Sequence, residues 1–134
     1  MATSIWLKAA ALWLVILLLA ILNGTLREKT LIPVLGSSAG LAASGAILSM
    51  CVFIVALVAA PWYGPLTSRQ WYWVGLFWLL LTVVFEFSFG LLVQHKSLAA
   101  LLDAYTFRGG NIWPIVLVTT LISPWLAAKI RGLI

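Results

Sequence analysis

Apolar residues fall into four long runs, at about residues 5–26, 38–60, 70–93 and 112–130, separated by short segments holding most of the charges, Gly and Pro. At 1.5 Å of rise per residue, about 20 residues cross the roughly 30 Å hydrocarbon core of a bilayer. Each run has about that length. The pattern predicts an all-α fold: an integral membrane, antiparallel four-helix bundle with short loops, residues 1–134 forming a single transmembrane domain.

The breaks between runs carry their own signals. The first run resembles a secretory leader, with Lys8 as its charge, but its exit reads Ala20-Ile21-Leu22-Asn23. Leu22 is too large for the small-residue cleavage pattern, so the run is expected to be retained as a first span. Arg27-Glu28-Lys29-Thr30 reads as a polar turn, and Pro33 and Gly36 break the chain after it. The second run opens with small residues four apart: Ala39/Ala43, Gly40/Ser44 and Ala42/Ala46. That spacing lets two helix backbones approach closely in lipid, so helix packing is its expected role. Pro61 and Gly64-Pro65 end this run.

After the third run, Leu98, Leu101, Leu102 and Tyr105 fall at i, i+3, i+4 and i+7, with Ser97 in place as an N-cap. Two turns cannot cross a bilayer, so a short interfacial helix is expected between the third and fourth spans. Gly109-Gly110 turns the chain, Asn111 caps the fourth run, and Pro114 suits its first turn. Pro124 frees the Thr120 carbonyl and predicts a kink.

Composition narrows the function classes. The chain is 64% hydrophobic and 8% charged, with a mean hydropathy of +1.16. Soluble domains carry about a quarter charged residues; this chain has too little polar surface to cover itself in water. The net charge is +5, but its cations are scattered, which argues against nucleic acid and suits anionic lipid headgroups at the span ends. Cys51 and His95 are single and far apart, so no intrachain disulfide, metal cluster or bis-histidine haem is expected, and no cofactor is called for.

Four spans put both termini on one side, with Lys8, Arg69, Lys129 and Arg131; the other side takes Arg27, Lys29, Lys96 and Arg108. Four against four does not decide orientation by positive charge. The N-terminal amine tips the expectation toward cytoplasmic termini. Trp6, Trp62, Tyr63, Trp71, Tyr72, Trp73 and Trp125 gather on the terminal side, and Tyr105, Phe107 and Trp113 on the other, as aromatic belts do.

Glu86, in Phe85-Glu86-Phe87-Ser88-Phe89-Gly90, is the sharpest chemical signal. It lies about 23 Å along the third span, past the midplane and toward Arg27 and Arg108. An ionised carboxylate at that depth costs a few kcal/mol unless it is paired, protonated or wet. By depth alone, Asn23, Arg27, Glu28, Glu86, Tyr105, Arg108 and Asn111 form a candidate cluster, Asn23 and Arg27 sharing a helix face. The cluster is read either as a structural ion pair of Glu86 with Arg27 or Arg108, or as a site for a lipid headgroup, a small polar solute or a proton.

Asn23-Gly24-Thr25-Leu26-Arg27-Glu28, the Glu86 segment, and Tyr105…Arg108-Gly109…Asn111-Ile112-Trp113-Pro114 together resemble a group of small bacterial membrane proteins of unassigned function. The resemblance spans most of the chain. It implies a bacterial inner membrane and no activity. Chain length and a lone membrane carboxylate also resemble small multidrug transporters, whose key Glu lies in the first span; here Glu86 is in the third.

Phosphate loops, paired carboxylates and nucleophile–His pairs are missing, so an enzyme is disfavoured. A lipid-directed enzyme using Glu86 as base is the least supported class. The leading expectation is binding or transport of a small ligand at Glu86. The alternative is an accessory subunit of a larger membrane complex, partnered by other subunits or by itself.

Overall fold

The computed structural model describes residues 3–134. These are helical over most of their length. Helix α1 (Thr3–Leu26) passes into a wide turn, Arg27–Leu31, and then α2 (Ile32–Leu35). Helix α3 (Ser37–Ala59) ends in a tight turn, Ala60–Tyr63. Helix α4 (Ser68–Leu92), the short α5 (Leu98–Asp103), a tight turn at Arg108–Gly110 and α6 (Trp113–Ile130) follow. Four of the helical stretches are long and apolar enough to cross a membrane: Ser4–Leu35, Ser37–Tyr63, Ser68–Leu92 and Trp113–Ile130.

The first stretch corrects the expected boundary. The polar turn at 27–30 is helical, and the chain does not reverse until Gly36, at φ 92°. Ahead of Pro33 the helix widens, with the Ile32 N–H bonded to the Arg27 carbonyl five residues back. Proline has no N–H and its ring excludes the carbonyl four residues back; the wider turn accommodates it without ending the helix. The start of α4 was also legible but missed. Thr67 Oγ1 accepts the Gln70 N–H at 3.2 Å and Gln70 Oε1 accepts the Thr67 N–H at 2.9 Å, a reciprocal cap. Ser97 caps α5 as expected, accepting the Ala100 N–H at 3.1 Å. Helix α6 continues through Pro124 to Ile130.

Helix α1 packs on α3 and α4, and α6 packs on the same two, so α3 and α4, neighbours in sequence, lie across a diagonal. The α1–α4 seam is aromatic: Trp6 meets Phe77, Trp13 meets Phe85, and the buried Trp78 donates its indole N–H to the Ala9 carbonyl at 2.9 Å. Buried tryptophans need such a partner because an unpaired donor away from water is costly. The α4–α6 seam is closer. A methyl group added at Gly75 would fall on the Leu121 carbonyl oxygen, so only glycine permits that approach. Along α3, Gly40, Ser44, Leu48, Val52 and Ala56 are buried at four-residue spacing. The outer faces stay apolar and open: Val34, Val58 and Leu92 are 74%, 72% and 75% exposed.

Candidate functional site

Glu86 lies on α4, six residues before the helix ends at Leu92. Its Oε2 accepts two hydrogen bonds, from the Tyr105 hydroxyl at 2.9 Å and from the Trp113 indole N–H at 2.8 Å. The segment linking α4 to α6 makes this arrangement. Leu101 of α5 is buried beside Gly90 and holds the segment against α4. Asn111 then fixes the approach to α6: its side-chain amide donates to the Ala104 carbonyl, and its Oδ1 accepts the Trp113 N–H at 3.0 Å. Tyr105 and Trp113 thereby reach the carboxylate from either end of one loop. Burial pushes the Tyr105 phenol up to about 12, and its hydrogen bond to Glu86 adds to that rise.

The expected ion pair between Glu86 and an arginine is not formed. Arg27 Nε pairs with Glu28 at 3.2 Å and Arg108 with Asp103 at 3.4 Å, each with a carboxylate close in sequence. Such a partner is reached without drawing a guanidinium down into the bundle. Among the described residues, no cation lies within 4.0 Å of Glu86. Trp113, expected in an aromatic belt, is instead one of its two donors.

Glu86 lines a cavity of about 220 Å³ between the helices, with Trp13, Thr82, Phe85, Phe89, Trp113 and Lys96 among its walls. Trp13 donates to Thr82 Oγ1 at 3.0 Å, and the Thr82 hydroxyl donates to the Trp78 carbonyl at 2.8 Å, so these polar groups are occupied within the wall. A wider crevice of about 710 Å³ adjoins the chamber, lined by Arg27, Glu28, Lys29, Gln94 and Lys96 with apolar residues of α1 and α4. A third cavity, about 50 Å³, is lined by Asn23, Arg27, Ser44, Asn111 and Trp113. There Ser44 Oγ donates to Asn23 Oδ1 at 2.6 Å, and Asn23 Nδ2 is buried without a partner.

The seven sequence candidates thus divide. Glu86 and Tyr105 touch. Asn23, Arg27 and Asn111 share the small cavity, and Arg27 and Glu28 face the crevice. Arg108 stands apart on an exposed loop. Sequence reading missed Trp113, Trp13, Ser44, Gln94 and Lys96. The signal for Trp113 was its place at the start of the fourth run, on Glu86's side of the bundle.

Among the described residues, no group of three or more His, Cys, Asp or Glu side chains is placed to hold a metal ion. Comparison with protein-family models, curated proteins and solved structures finds no match for the chain.

Proposed function

We propose that this is an integral membrane protein whose consecutive helices alternate in direction, and that the chamber around Glu86 binds a small ligand carrying a positive charge. The apolar outer faces support the membrane setting. The pairs Asn23–Ser44 and Lys8–Trp62 support opposite directions for α1 and α3; Glu86–Trp113 and Tyr72–Trp125 do so for α4 and α6. The sequence resemblance supports a bacterial inner membrane. With four cations on each side, the N-terminal amine is what favours cytoplasmic termini.

One observation carries the ligand reading: a carboxylate set in an apolar chamber with two neutral donors and no protein cation within 4.0 Å. A half-buried carboxylate at membrane depth is costly while it stays ionised without a partner. A ligand ammonium supplies the missing charge, and the aromatic walls Trp13, Phe85, Phe89 and Trp113 suit its organic part. At about 220 Å³ the chamber falls below the roughly 300–1,000 Å³ of drug-sized sites, so the ligand group inside it is small. The accessory-subunit alternative drew on the small residues of α3. Gly40 and Ser44 of that set, and Gly45 beside them, lie against Ile32, Asn23 and Ile112 of the same chain, which removes part of its motive.

The test is equilibrium dialysis of detergent-solubilised protein against labelled butylammonium, with butan-1-ol as the neutral control. The wild type binds the cation saturably and Glu86→Gln binds it about tenfold more weakly or worse, the loss of one charge-assisted contact. Equal binding by a folded Glu86→Gln variant would refute the proposal.

A further inference from the structure

We propose that the chamber and the crevice form one site for a zwitterion, with an ammonium at Glu86 and a phosphate-like anion held by Arg27, Lys29 and Lys96. This rests on the chamber reading above and adds the second half of the ligand. The two spaces adjoin: Leu17, Ala20, Phe85, Phe89, Gln94 and Lys96 line both. Their charges are graded. The inner space holds Glu86, Lys96 stands on the wall common to both, and the outer space adds Arg27, Glu28 and Lys29.

The outer cations are largely unspent. Glu28 takes only Arg27 Nε, leaving the terminal guanidinium N–H groups, which suit bidentate contact with a phosphate. Among the described residues, no carboxylate lies within 4.0 Å of Lys29 or Lys96. Glu86 stands six residues before the end of α4, about 9 Å along the axis. Lys96, on an exposed segment, lines both spaces, and its backbone N–H bonds the Gly90 carbonyl at 2.8 Å, about one helical turn beyond Glu86. A simple anion leaves Glu86 facing it unpaired, and a simple amine enters past three cations. A molecule with both charges answers both groups.

An aminophospholipid headgroup and free phosphoethanolamine share this chemistry. The apolar wall residues Ile21 and Phe89 are 55% and 38% exposed at the crevice, leaving room for acyl chains to lie outside while the headgroup enters.

Native mass spectrometry of the detergent-solubilised chain, titrated with phosphatidylethanolamine or phosphatidylglycerol, tests the inference. Phosphatidylethanolamine is expected to bind about tenfold more tightly than the anionic lipid, and Glu86→Gln to erase that preference. Lys96→Gln, and separately Arg27→Gln, weaken phosphatidylethanolamine severalfold. Lys96→Gln also strengthens butylammonium, because a repelling cation leaves the chamber wall. Competition by free phosphoethanolamine supports a soluble zwitterion; its failure to compete supports the lipid. Equal binding of the two lipids by the wild type, with butylammonium still held through Glu86, overturns the zwitterion and leaves the chamber reading standing. Loss of both lipid preference and butylammonium binding overturns both.

Discussion

Gly75→Ala should destabilise the bundle where Gly24→Ala does not. Both glycines lie inside helices, so both substitutions gain about 1 kcal/mol of helix propensity, and that gain cancels between them. Their surroundings differ. A methyl at Gly24 meets only the Arg27 Nη2 atom at 3.5 Å, ordinary contact with a flexible side chain. A methyl at Gly75 lands on the Leu121 carbonyl oxygen, a backbone atom that yields only if α4 and α6 move apart. Overpacking of this kind costs about 1–3 kcal/mol. The two variants should therefore differ in stability by about 1–3 kcal/mol, Gly24→Ala being the more stable. The assay is equilibrium unfolding in mixed micelles followed by far-ultraviolet ellipticity. Equal stabilisation of the two variants would refute the close α4–α6 seam and with it the placement of Trp113 beside Glu86.

The buried Asn23–Ser44 hydrogen bond predicts an unfolding coupling of about 0.6 kcal/mol, and at most about 1.7 kcal/mol, in a double-mutant cycle of Asn23→Leu and Ser44→Ala; zero coupling removes it from the structure. The phenol of Tyr105, pushed up to about 12, should titrate about two units above the unperturbed value near 10, read as the ultraviolet difference between wild type and Tyr105→Phe. Because its folded value lies above its unfolded one, its contribution to stability is complete below about pH 10 and is lost as pH rises toward 12.

The four long helices were legible because their lengths and apolar composition leave no other economical solution. The end of the first was not. Arg27-Glu28-Lys29-Thr30 has the polarity of a turn, and the wider helical turn ahead of Pro33 is set by backbone bonding that composition does not register. Glu86 stood out for the cost of its position, and Tyr105 was grouped with it by depth. Its partners depended on rotation about each helix axis. Arg27 and Arg108 had the right charge and depth, yet each found a carboxylate nearby in sequence. Trp113 had no charge to draw attention, and a hydrogen-bonding role for it appears only once α4 and α6 are packed. Lys96 reads in the sequence only as one of four cations on the side opposite the termini, because its place on the chamber wall depends on how the segment after Leu92 folds back.

The central claim is that the Glu86 carboxylate receives a ligand cation. The protein has only two glutamates, Glu28 and Glu86, so carbon-13 labelling of the glutamate carboxyl groups gives two side-chain signals, assigned by Glu28→Gln and Glu86→Gln. On titration with butylammonium, the Glu86 signal should shift saturably while that of Glu28, on the exposed outer crevice, stays in place. A stationary Glu86 signal, or a shift confined to Glu28, would contradict the account.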